Sequence, residues 1–130
     1  VIRSIEYEMQ RQARILDGYR GVSLPVPGYQ TFFLTAGERV DLLVTFEAIT
    51  GKGVKDTVTA TILQNVVVLQ VAQPASPDGK GVVQLLCNPN EAQYAMLSLA
   101  QSKSINITRR AAGDVDLHPM EIASLVKLFR

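Results

Sequence analysis

The 130-residue chain is 47% hydrophobic and 19% charged with a formal net charge of +1. That is enough apolar residue for one domain with its own core, and it lacks the dense basic face of a nucleic-acid or anionic-membrane binder. One Cys, one His and no Trp exclude an internal disulfide and any histidine-pair metal site, and leave a core of Val, Ile and Leu that favours strands.

The chain begins on Val1, with no signal peptide and no apolar run long enough to span a bilayer. The expectation is therefore a piece excised from a longer protein. In Val1–Leu16, Ile5, Met9, Gln12 or Ala13, and Leu16 recur at helical spacing, with Gly18 placed as after a helix end. This predicts a short helix, although Val1–Ile5 reads equally as extended. Tyr19–Val26 reads as a strand stopped by Pro25, Pro27 and Gly28. Tyr29–Leu34 is short and aromatic, a connecting strand or a loop packed on the core. A small-residue turn with Gly37 leads into Glu38–Ala48, which alternates and then becomes continuously apolar, as a strand entering a buried sheet does.

Thr50–Asp56 is a polar turn. Thr57–Ala72 is too long for one regular strand, and Asn65 near its middle predicts a bulge or bend that lets the chain serve two sheets. Pro74–Gly81 reads as a second turn, a mobile hairpin tip, from which Val82–Cys87 returns as a strand. Asn88-Pro-Asn-Glu91 is the clearest local signal. Asn88 caps a helix, Pro89 suits its first turn, and Glu91 completes a capping box. Ala92, Ala95, Met96 and Leu99 then share one face of a helix running to about Gln101. Ser104–Arg109 alternates Ile105 and Ile107 inward with Asn106 and Thr108 outward. Ala111–Asp114 is a linker. Pro119 opens a last helix with an apolar stripe of Ile122, Leu125, Val126 and Phe129. That stripe either docks on its own domain or is a partner-binding element reached through the linker.

Residues with chemistry offer little. Cys87 lies in an apolar run and reads as a small buried hydrophobe. His118, just before Pro119, reads as the residue that leads into the last helix. Thr50–Lys55 lacks the spacing and the Lys-Ser/Thr ending of a phosphate loop and joins two strands. Asp41 stands near a strand start, and Asp114 and Asp116 flank the linker. No carboxylate pair has a spacing that argues acid–base work. Ser23 has no nucleophile-elbow context. The sequon Asn106-Ile-Thr108 falls in a strand and reads as a chance match. These residues indicate a non-enzyme with no cofactor and no metal.

The order of segments carries more. Gly18-Tyr-Arg-Gly-Val-Ser-Leu-Pro-Val26, Thr35-Ala-Gly-Glu-Arg-Val-Asp-Leu-Leu-Val44, Thr61–Gln73, and the strand–helix–strand run Val82–Arg109 resemble, in the same order, four segments of the RcpC/CpaB family of Flp (Tad) pilus assembly proteins. The resemblance covers roughly residues 17–110. Gly21 stands where the family usually has Ala, and Thr35-Ala36 where it has Arg-Pro. Asp116–Arg130 lies outside the pattern.

The resemblance implies a mainly β (α+β) fold, an SAF or β-clip-like domain with one capped helix between the last two strands and a C-terminal helix. It implies three parts: residues 1–17 as a remnant of an upstream SAF region, 18–110 as the β domain, and 111–130 as linker and amphipathic helix. It also implies a bacterial periplasmic protein whose parent is anchored in the inner membrane by an N-terminal helix outside this chain. Its partners would be the pilus secretin or other Tad machinery, with self-association a further option, and no nucleic acid. Loops on a rigid scaffold often carry recognition. The expected partner-binding residues are accordingly Lys52, Lys55, Ser76, Asp78 and Lys80 in the two turns, and Ile122, Leu125 and Phe129 in the last helix. Two rival roles are a peptidoglycan- or carbohydrate-binding module, which needs an exposed aromatic platform from Tyr29, Phe32 and Phe33, and a periplasmic assembly chaperone similar to that of the flagellar P-ring.

Overall fold

The structure, a computed structural model, describes residues 15–49 and 51–128. The expected first helix and Phe129 lie outside the described residues. In chain order the elements are β1 (Arg20–Pro27), α1 (Gly28–Thr31), β2 (Arg39–Ile49), β3 (Lys55–Ala72), β4 (Lys80–Cys87), α2 (Pro89–Gln101), β5 (Ser104–Arg109), β6 (Ala123–Ser124) and α3 (Leu125–Leu128). The fold is mainly β, with the capped helix and the C-terminal helix expected from the sequence. All pairings are antiparallel, in the order β1-β4-β3-β2-β5, with β6 added to β3. The end strands β1 and β5 approach each other, so the sheet curls around its inner face.

Period-2 alternation puts the core there. Val22, Leu24 and Val26 of β1, Val40, Leu42 and Val44 of β2, Val83, Leu85 and Cys87 of β4, and Ile105 and Ile107 of β5 are buried together. Pro25 is tolerated because β1 ends the strand order.

β3 keeps its side chains in phase only by breaking its ladder. Opposite Val40–Leu42, β2 advances two residues while β3 advances three, from Val66 to Leu63, and a second irregularity follows at Leu42/Leu43. Asn65 sits there with φ 58°. Each extra residue reverses the face that the strand shows. Leu63 and Val66, of opposite parity, therefore both enter the core. The predicted bulge is present, but β3 stays in one sheet. It pairs with β2 from Lys55 to Val67 and with β4 from Val67 to Ala72, both in the same sheet.

Three elements differ from the sequence reading. Tyr29–Leu34 is neither strand nor plain loop, because Gly28–Thr31 forms one helical turn in which the Thr31 hydroxyl donates to the Gly28 carbonyl at 2.6 Å. The cap of α2 is as expected, with reciprocal Asn88–Glu91 bonds of 2.8 Å. Its inner face is Ala95 and Ser98, while Met96 and Leu99 are exposed. The small residues let the helix lie close, which turns the larger ones outward. The last helix does not begin at Pro119. Residues 119–122 are irregular, Ala123–Ser124 pair with β3, and only Leu125–Leu128 are helical. Sheet pairing on an open edge wins over a weak amphipathic stripe.

Candidate functional site

β3 has 18 residues, so up to ~55 Å of strand, at about 3.3 Å per residue, separates its two turns. The expected binding residues therefore fall into two groups. Ser76, Asp78 and Lys80 lie at the β3–β4 turn. Lys52 and Lys55 lie at the β2–β3 turn, and the C-terminal segment carrying Ile122 and Leu125 packs along the same half of β3. One partner surface does not span both ends without covering the whole strand.

At the β3–β4 end, the turn is anchored rather than a free tip. Gly28 N–H donates to the Gly79 carbonyl at 2.8 Å, and Gln73 Nε2 donates to the Thr31 carbonyl at 3.2 Å. A Cβ on Gly28 would stand 2.5 Å from that same Gly79 oxygen, so the approach of α1 to the turn requires glycine here. On its other side α1 is fastened to β5. Gln30 Nε2 donates to Asn106 Oδ1 at 2.7 Å, and Gln30 Oε1 accepts from Ile107 N–H at 2.9 Å. Asn106, the sequon residue, is thus used in structure. Arg109 donates to the Phe33 carbonyl at 2.7 Å and lies 3.3 Å from the Glu38 carboxylate, which in turn holds the Thr35 amide and hydroxyl.

This frame displays aromatic rings. Tyr29, Phe32 and Phe33 are 58%, 39% and 78% exposed. Their spacing of i, i+3 and i+4 puts them on one side of the turn, opposite buried Gly28 and Thr31. Sequence reading singled out these rings only for a sugar platform. The contact of α1 with the β3–β4 turn, made through Gly28 and Thr31, is tertiary and had no local signal.

Midway along β3, level with its bulge, the chain after β5 is stapled back onto the sheet. The Arg110 side chain, only 4% exposed, pairs with Asp41 at 2.7 Å and Asp114 at 3.1 Å and donates to the Asp116 carbonyl. Asp41 also accepts from the Asn65 amide at 3.0 Å, which ties the staple to the β3 bulge. Arg110 and the Asp116 amide hold the Asp114 carboxyl below the usual carboxylate range, and the two carboxylates raise the guanidinium further. His118 does not lead a helix. Its backbone exchanges two hydrogen bonds with the Gln64 side chain, at 2.7 and 2.9 Å.

The remaining titratable chemistry is structural. Cys87 is fully buried, and desolvation, with the nearby Glu91 carboxylate second, pushes its thiol up to about 11. A cleft of about 560 Å³ is lined by Ser23, Thr35, Gln70, Gln73, Gln84 and apolar neighbours, none of which titrates near neutral pH. Among the described residues, no cluster of three His, Cys, Asp or Glu side chains could hold a metal ion. Among them, too, no helix is long and apolar enough to cross a membrane.

Fold and site together define an antiparallel β scaffold whose charged and polar groups brace loops, with an aromatic face fixed at one end. A family model described as Flp pilus assembly protein RcpC/CpaB matches residues 12–113. The chain belongs to that family, whose members are components of pilus assembly. No curated protein and no solved structure matches the chain.

Proposed function

We propose that this domain is a non-enzymatic, periplasmic component of the Flp (Tad) pilus machine that acts by binding another protein, near the secretin. In this reading the parent is held to the inner membrane by an N-terminal helix. The observation that carries the proposal is the braced aromatic end. Tyr29, Phe32 and Phe33 are exposed on a turn fixed from both sides, and Ser76, Asp78 and Lys80 stand on the adjoining β3–β4 turn. Exposed aromatic rings on a pre-organised frame bury area at small entropic cost and recur as interface anchors. A polar turn beside them supplies a rim.

The test uses the full-length parent with Tyr29→Ser and Phe33→Ser together, read by binding to the purified periplasmic part of the secretin and by pilus counts on cells. Binding weakened tenfold or more, at an unchanged thermal midpoint, supports the proposal. Unchanged binding and piliation in the double variant, with loss instead in Lys52→Glu/Lys55→Glu, moves the site to the other end of β3.

A second reading has its own support. A glycan platform needs all three rings accessible, and they are. Co-sedimentation with purified peptidoglycan sacculi separates the two readings, because the protein-binding reading expects no pelleting that depends on Tyr29 and Phe33.

A further inference from the structure

The upstream half of β3 has an open edge. β4 covers β3 only from Val67 to Ala72. The chain's own C-terminal segment lies along the edge from Gln64 to Asp56. It does so in one continuous antiparallel register: His118 is bonded to Gln64, Ala123 pairs with Thr59, Ser124 pairs with Val58, and Val126 N–H donates to the Asp56 carboxylate. Each step back along β3 is matched by an equal step forward along the tail. Only Ala123 and Ser124 complete strand pairs, and Pro119 has no N–H to donate in the gap between the bonded ends.

Apart from these bonds and the Arg110 staple near its start, little apolar burial holds the tail down. Leu117, Met120, Ile122, Val126 and Leu128 are all more than half exposed. Their apolar burial adds little, and the tail belongs to the weakly held part of the fold. It is joined to β5 through Ala111-Ala-Gly113, in which Gly113 has φ 82°. That is a short hinge from which the tail could leave in another direction.

We infer that the Asp56–Gln64 edge of β3 is a strand-exchange site, and that its occupant in an assembly is the C-terminal segment of a second copy of this chain. The edge is matched in register and in side-chain chemistry to this particular segment. Gln64 meets a backbone N–H and carbonyl. Asp56 meets the Ser124 hydroxyl and the Val126 amide. None of these contacts depends on whether edge and tail belong to one molecule, which is the condition for domain swapping about a hinge. In dilute solution the tail closes on its own sheet, because the tether gives an effective concentration on the order of millimolar. Where copies are gathered above that concentration, exchange links them, and the row of exposed apolar residues faces the neighbouring copy. This inference is independent of the partner proposed above.

The test mixes one chain carrying Thr59→Cys with another carrying Ala123→Cys. The mixture is equilibrated through unfolding and refolding at ~10 µM and ~1 mM, bracketing the effective concentration, and then oxidised. Exchange predicts a mixed disulfide dimer whose yield rises at least severalfold with concentration. The single-chain double variant, which should close within itself at dilution, calibrates the chemistry. A mixed yield at ~1 mM no higher than that of Lys52→Cys with Ala123→Cys overturns the inference. An arm without introduced cysteines asks the same question. Deleting Ala111–Gly113 should make a dimer by light scattering, and a monomer whose Ala123 and Ser124 amides stay protected from exchange overturns it as well.

Discussion

Gly28→Ala separates a braced aromatic end from a merely exposed loop. The new methyl would stand 2.5 Å from the Gly79 carbonyl oxygen, 2.6 Å from Pro74 Cγ and 3.0 Å from the Pro77 oxygen. Two of these are backbone atoms, so no side chain can swing away. Relief requires α1 and the β3–β4 turn to part, which breaks the 2.8 Å bond from Gly28 N–H to Gly79. Overpacking costs about 1–3 kcal/mol and the lost bond about 1. The smaller unfolded-state entropy of alanine returns about 0.5–1. A net loss of about 2 kcal/mol follows, which for a chain of 130 residues lowers the thermal midpoint by about 5–8 °C. The assay is thermal and urea unfolding followed by circular dichroism, with Gly51→Ala as control, since a Cβ there meets nothing within 4 Å. Equal midpoints for the two variants would refute the reasoning. The rings of Tyr29, Phe32 and Phe33 would then sit on a loop that gives way freely.

Other outcomes follow from the same structure. Leu42→Ala, at a fully buried position facing the β3 bulge, should cost about 3 kcal/mol by urea unfolding, because the bulged ladder limits collapse into the cavity. Cys87 should not react with thiol reagents at pH 8 until the chain unfolds. Its raised folded-state value means that its contribution to stability is complete below about pH 9 and is lost as pH rises toward about 11, which a pH series of unfolding midpoints checks. Asp114 has the opposite sign. Its value is lowered on folding, so its contribution is present above about pH 4 and lost below it. The protection of the Ala123–Ser124 segment, referred to the intrinsic exchange rate at each pH, should therefore fall on acidification, and Arg110→Ala should give the same loss of protection at neutral pH.

Much of the scaffold was legible because its signals are local. Recurring valines, leucines and isoleucines gave β1, β2, β4 and β5, and Asn88, Pro89 and Glu91 gave the start of α2. The bulge at Asn65 was legible because a strand of that length has to break its ladder somewhere. The inner face of α2 was read in part: Ala92 and Ala95 do face the core, but hydrophobic spacing also favoured Met96 and Leu99, whereas close packing selected Ser98 for its small size. The helix expected from Pro119 was misread for a related reason, since nothing local reports that a sheet edge nearby offers partners to the same backbone.

The sequence by itself determined a single mainly β domain with an aliphatic core, the order of its principal strands and its capped helix, and family segments in the right order. Those follow from periodicity, capping chemistry and composition, which act over a few residues. Only the tertiary structure decided what could act as a site. It set the α1 segment, which carries the Tyr29–Phe33 rings, against the β3–β4 turn and sent Lys52 and Lys55 to the far end of β3. It also laid the C-terminal segment in register on an edge more than fifty residues away in the chain. Such juxtapositions depend on register and curl, which arise from the whole sheet and leave no trace in any short stretch of it.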